Sequence, residues 1–198
     1  LAYQTELPTP VKEGYTFGGW YSNDILTGEA VTKVGAADLT VYAKWTINKY
    51  TVTYVNAELE AEELAYQTTL PLPTKGNLTF AGWFLNAEFE GEAVTKVAAN
   101  NMTVYAKWVY NITFANSDLG TLQLVPGAEL PELLEEGYTF VGWYDNAECT
   151  GEVYTNVGDS DITLYPLFKL NNYYVTFENS DLGTQKLEEE LLNKYNAR

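Results

Sequence analysis

Apolar and polar residues alternate with a period of two through much of this 198-residue chain. In NITFANSDLGTLQL (Asn111–Leu124), Ile112 and Phe114 fall on one face with Thr113 between them, and Leu122 and Leu124 repeat the pattern after a turn. Such alternation predicts half-buried strands. The intervening NSDLG offers Asx side chains to bond the local backbone and a glycine for positive φ, so the pair reads as a hairpin. GYTFGGWY at Gly14–Tyr21 reads as a third strand whose glycines predict a bulge or close packing. LTVYAKW at Leu39–Trp45 is a fourth, with Leu39, Val41, Ala43 and Trp45 on one face. A later copy of that strand puts Ile162, Leu164, Pro166 and Phe168 on the same face, and Pro166, lacking a backbone donor, predicts a sheet edge there.

Helical signals are short. The second and third strands are linked by LPTPVKEG, LPLPTKGN and LPELLEEG in successive copies. Pro followed by Glu-Leu-Leu-Glu-Glu predicts a short helix in the last of these. KLEEELLNKYNAR at the end carries Leu187, Leu191, Leu192 and Tyr195 at helical spacing and predicts a second helical element. The fold class is therefore mostly β with α+β character.

Self-similarity dominates the organisation. Gly-Trp occurs at Gly19, Gly82 and Gly142, spaced by 63 and 60 residues. EAVTKV stands at Glu29–Val34 and again at Glu92–Val97; YAKW at Tyr42 recurs at Tyr105 and as YPLF at Tyr165; LAYQTELPTP at Leu1 recurs as LAYQTTLPLP at Leu64. Several motifs sharing one offset do not arise by chance. The units read as residues 1–48 (lacking the first hairpin), 49–109, 110–170 and 171–198, the last being a hairpin and helical end copied from Tyr110 onward. Linkers of about four residues, such as that between Trp45 and Tyr50, predict closely joined modules.

The run EGYTFGGWYSNDILTGEAVTKVGAADLTVYAKW resembles the Listeria–Bacteroides repeat, also known as the internalin B B-repeat, in all three copies. The second copy differs mildly in NLTFAGWF and the third in YPLF. The resemblance implies a β-grasp, ubiquitin-like fold, tandem arrays forming an elongated rod, and an extracellular place in large secreted or wall-anchored bacterial surface proteins. It brings no catalytic residues.

Composition narrows the chemistry. Eleven Lys and Arg against 27 Asp and Glu give a formal net charge of −16, which repels nucleic-acid phosphates and anionic membrane surfaces. There is no histidine and one cysteine, so the commonest general base and metal ligand is absent and no intrachain disulfide can form. No cofactor, metal or enzymatic activity is expected. NSDLG and GDSD carry oxygen ligands without the spacing of a calcium loop and read as turns. Cys149 lacks a neighbouring base.

Trp20, Trp83 and Trp143 recur once per unit and are expected to fill cores; Trp45 and Trp108 are expected to cover the joints. The function expected is a structural stalk, spacer or filament subunit. An adhesion module, binding a host protein or glycan through a sheet edge or aromatic face, is the alternative, favoured if Tyr42, Tyr105 and Tyr165 form an exposed row. The partial units read as cut ends, either of a stretch taken from a longer parent chain, whose adjacent repeats are then the partners, or of a chain whose two ends complement one another between copies. Tyr173, Val175, Phe177 and Leu187 of one molecule would complete the first unit of a neighbouring copy, head to tail.

Overall fold

A computed structural model describes residues 2–179 and 183–186, and the described residues are all β, turn and loop. The strands are β1 (Tyr15–Tyr21), β2 (Tyr42–Ile47), β3 (Lys49–Val55), β4 (Glu62–Ala65), β5 (Thr79–Phe84), β6 (Met102–Phe114), β7 (Gly120–Leu124), β8 (Tyr138–Tyr144), β9 (Ile162–Leu170), β10 (Tyr174–Phe177) and β11 (Gly183–Lys186). The chain divides into two compact units, one of residues 1–74 and 82–107, the other of 75–81 and 108–198.

In the first unit β3 pairs antiparallel with β4 and parallel with the start of β6, Val52 opposite Met102 and Tyr54 opposite Val104. β5 lies beside β6, giving the order β4-β3-β6-β5. The second unit repeats the pattern: β6 pairs antiparallel with β7 and parallel with β9, and β8 pairs antiparallel with β9. Parallel neighbours need a long crossover, and both crossovers run as extended chain. The same face is buried in each. Val52, Tyr54, Leu70, Trp83, Val97 and Val104 form one core, and Ile112, Phe114, Leu130, Trp143, Val157 and Leu164 occupy the matching places of the other. No charged side chain is buried among the described residues.

The helix expected in LPELLEEG does not form. The stretch is fixed at both ends, since the Pro131 carbonyl accepts a side-chain hydrogen bond and the Tyr138 N–H donates to Glu135. The few residues between cannot recover the cost of nucleating a helical turn. Leu133 packs on the core while Leu134 is 98% exposed, the alternation of an extended segment. The described residues are thus β without helix. The second expected helix, with Leu187, lies outside the described residues. β9 lies between β6 and β8, but the parallel ladder with β6 ends at Phe114–Leu164, so at Pro166 the strand is paired only with β8 and the proline stands at a local sheet edge, as expected.

The repeated hexapeptide is a narrow strap. Val31 donates its N–H to the Trp20 carbonyl at 2.7 Å, and Leu7 donates to Thr32 at 2.8 Å; Val94 with Trp83 and Leu70 with Thr95 do the same at 2.8 and 2.9 Å. The strap therefore ties the strand carrying Gly-Trp to the crossover. An Asn closes the loop before it: Asn86 donates to the Glu90 carbonyl and accepts from the Glu90 N–H, and Asn146 does the same with Thr150.

The glycine before each tryptophan marks a bulge. The β8–β9 register slips between Phe140 and Gly142, and Gly82 has φ of 127°. A Cβ on Gly82 would lie 2.9 Å from that of Ala93 in the strap. Gly82→Ala is therefore expected to destabilise the protein by about 1–3 kcal/mol, the usual size of such backbone strain. Chemical denaturation checks this, and an unchanged midpoint would refute the account.

Candidate functional site: the tryptophan seats and the repeat joints

Each Gly-Trp tryptophan sits in the same seat. The Trp20, Trp83 and Trp143 indole N–H groups donate to the carbonyls of Pro8, Pro71 and Pro131 at 2.8, 2.8 and 2.7 Å. A buried indole needs a partner for its donor, and a proline carbonyl on the crossover supplies it. Aromatic neighbours complete the seat: Tyr54 lies 5.1 Å from Trp83, and Phe114 lies 4.7 Å from Trp143 in an edge-to-face contact. These tryptophans are core residues, and Trp83 and Trp143 offer no face to a ligand. The sequence reading missed the Leu-Pro half of the device. Its signal was present, because Pro8, Pro71 and Pro131 each precede their tryptophan by twelve residues.

Trp45 and Trp108 pack within their own repeats, with Phe17 and Phe80 respectively, each at 5.5 Å, as Phe168 does with Phe140. The described joints are built from asparagine. At the first, the Asn48 N–H donates to the Gly14 carbonyl at 2.9 Å, the Thr16 hydroxyl to Asn48 Oδ1 at 2.6 Å, and the Tyr66 N–H to the Asn48 carbonyl at 2.9 Å. Gly14 is buried with φ of 74°, and a Cβ there would enter the Tyr66 ring. Asn171 repeats the arrangement with Gly137 and Thr139 at 2.8 and 2.5 Å. Asn48 and Asn171 also each donate toward a tyrosine hydroxyl two residues on, Tyr50 and Tyr173, at 3.4 and 3.5 Å.

Asn111 stands in the corresponding place inside β6. Its side chain bonds Thr79, Gln123 and Asp161. The Asn111 N–H donates to Asp161 Oδ1 at 2.8 Å, holding that carboxyl below the usual aspartate range, chiefly through this backbone bond and then through the Asn111 amide. Asn101 does the same duty in the preceding repeat, accepting the Thr51 N–H at 2.9 Å.

The motifs weighed for chemistry resolve as structure. Asp161, within GDSD, is this strand cap. In NSDLG, Ser117 donates to the Phe114 carbonyl and accepts from the Leu119 N–H. Cys149 occupies the left-handed loop position also held by Leu26 and Phe89. Burial, with Glu148 beside it, pushes its thiol up, which works against a reactive thiolate. Among the described residues no three His, Cys, Asp or Glu side chains gather as a metal site, and no helix is long and apolar enough to cross a membrane. A cleft of about 80 Å³ beside Tyr154 and Asn156 is below the ~300 Å³ of small-molecule sites. A second hollow, about 500 Å³ along Glu132–Phe140, is an open trough walled by one crossover and one strand. Tyr42 is exposed, whereas Tyr105 and Tyr165 are half-buried, so no uniform aromatic row forms. Val175 and Phe177 lie in β10.

This repeated seat recurs where the Listeria-Bacteroides repeat domain matches, at residues 2–44, 50–107 and 110–166. The chain belongs to this family. It is 34% identical over 93% of its length to a Gly-rich membrane protein of Evansella cellulosilytica and 32% identical over 85% to a second membrane protein of that organism. It is 40% identical over 54% of its length to internalin H of Listeria monocytogenes. The chain spans 24%, 30% and 21% of those three relatives.

Two outcomes test the site. Trp143→Phe leaves the Pro131 carbonyl unpaired in a packed core and is expected to cost about 2–4 kcal/mol. Trp20→Phe, in a half-exposed seat, should cost roughly 1 kcal/mol. Equal losses in denaturation would show that burial does not set the value of the seat. Asp161, depressed in the folded state, stabilises above its unfolded value of about 3.9, and that contribution is lost as pH falls through the lower folded value. Asp161→Asn, copying Asn101, should keep the cap and lose this acid sensitivity. A variant whose stability falls with pH as steeply as wild type would rule it out.

Proposed function

We propose that the chain is a non-catalytic spacer segment of a bacterial surface protein, holding other parts of its parent away from the cell. On this reading each repeat is a β-grasp whose crossover helix has been replaced by an extended, tryptophan-pinned segment. The strand order, first and last strands parallel at the centre with the second and third outside them, supports this. The names of the relatives, an internalin and membrane proteins, support a place at the cell surface.

The observation that carries the proposal is the joint. Asn48 and Asn171 fasten the strand of one repeat to the chain leading into the next with the same hydrogen bonds. Tandem repeats with separate cores and short linkers suit a spacer. An adhesive array would present one exposed aromatic at the same place in every repeat; exposed Tyr42 with half-buried Tyr105 and Tyr165 favours the spacer.

Small-angle scattering from chains of two, three and four complete repeats tests this. The maximum dimension is expected to rise by a constant step per repeat. A dimension that grows as the square root of repeat number would mean freely hinged beads and defeat the spacer reading.

A further inference from the structure

The two complete repeats end their sheets on different outer strands. β7 pairs with β6 and, among the described residues, with nothing on its other side; β4 holds the same place beside β3. The ladder decides which main-chain groups face the open side. The Asn111 and Ala115 N–H groups point toward β9, to Asp161 and Leu164, so Tyr110, Ile112 and Phe114 point theirs toward β7. Their partners Leu124, Leu122 and Gly120 use their N–H and C=O groups on β6. Thr121 and Gln123 alternate with them and turn theirs outward. The Thr121 hydroxyl lies 2.9 Å from that of Thr113, as suits a pair that exchanges no main-chain bonds and so brings its side chains close.

Open edges are commonly blunted by charge, proline or a bulge. β4 is blunted by Glu62 and Glu63, both exposed. At the matching positions β7 has Leu122 and Gln123, and its whole span, GTLQL, holds neither charge nor proline. Leu122 packs on the core of its repeat and is still only half-buried. The strand also complements itself. A two-fold axis at Leu122 lays it antiparallel to a second β7, with Thr121 facing Gln123 of the second copy and the outward main-chain groups of both pairs exchanging hydrogen bonds. Leu122 then meets Leu122 of the second copy in the closely approached position between them. The same operation on β4 would set Glu62 against Glu62, like charges directly opposite and destabilising.

We propose that the open edge of β7 is a docking site for β7 of a second copy of this chain, joining the two sheets across a two-fold axis. Main-chain hydrogen bonds supply the affinity and Leu122 the apolar centre. The contact is isologous, so it closes at two molecules. Each chain carries a net charge of −16, and salt that screens this repulsion strengthens the dimer. The inference goes beyond the spacer reading and does not depend on it.

Two variants of the full chain test this. Thr121→Pro removes an outward N–H and no bond of the β6–β7 ladder. Leu122→Glu copies the charge of Glu62. A contact this short belongs with weak interfaces, and sedimentation equilibrium is expected to show monomer and dimer with a Kd of about 100 μM. That Kd should tighten severalfold from about 50 to about 500 mM NaCl and weaken at least tenfold in either variant, with the denaturation midpoint of Thr121→Pro unchanged. Amide exchange at Thr121 and Gln123 should slow about fourfold as the natural chain is concentrated from about 10 μM to about 1 mM. A chain still monomeric at about 1 mM overturns the proposal. So does a dimer that persists in Thr121→Pro, one that salt weakens, or one whose Thr121 and Gln123 amides exchange as fast as in dilute solution. If Thr121→Pro does not fold, Leu122→Glu and the exchange of the natural chain decide the matter by the same outcomes.

Discussion

Everything in a repeat leans on one hydrogen bond, from the indole N–H of the Gly-Trp tryptophan to a proline carbonyl on the crossover. Burying an indole without a partner for its donor is costly. The proline answers that need and, lacking an N–H of its own, demands no ladder partner in return. In each repeat the bond holds an extended crossover against the strand that carries Gly-Trp, at 2.7–2.8 Å. A helix would satisfy its backbone internally and bury one stripe. This crossover instead borrows donors and acceptors from the strap and the tryptophan. The glycine at the bulge is a consequence, because the strap passes too close for a Cβ.

Linker length decides how one repeat passes to the next. Nine residues separate Trp45 from Tyr54, and nine separate Phe168 from Phe177, whereas six separate Trp108 from Phe114. In the two longer linkers the strand breaks around Asn48 and Asn171; in the shorter one β6 runs unbroken from Met102 to Phe114. The asparagine keeps its place, three residues after the aromatic, in all three. In the broken linkers its N–H reaches a glycine carbonyl, while in the continuous strand it reaches Asp161.

The strands, the hairpin turn, the bulge and the family were legible because each rests on local pattern: period-two alternation, Asx-Gly turns and Gly-Trp. The helix in LPELLEEG misled because Glu-Leu-Leu-Glu-Glu has genuine helical propensity, and propensity yields when a tertiary bond to Pro131 fixes one end of so short a stretch and a turn at Glu135–Tyr138 closes the other. Pro166 was legible as a local edge: the strand is interior as a whole, but its parallel partner has already ended where the proline stands. The tryptophan seats were half visible. Aromatic bulk announces a core, but the carbonyl that satisfies the indole is a backbone atom with no side-chain signature, readable only through the constant spacing of Leu-Pro. The asparagine joints left a similar trace in Asn-x-Tyr at Asn48 and Asn171, which looks like ordinary linker polarity until the hydrogen bonds are in place.

Identical sequence in unlike surroundings isolates what is non-local here. Glu29–Val34 and Glu92–Val97 share every residue and the same backbone bonds to their tryptophan strands, yet Val34 is half-buried and Val97 is sealed from solvent. The strap and seat therefore form without the first hairpin, from contacts within about thirty residues of chain, whereas closing the core needs β3 or its equivalent laid along the last strand. Burial of apolar area is the dominant favourable term in folding, so the hairpin is where a repeat gains the largest part of its stability.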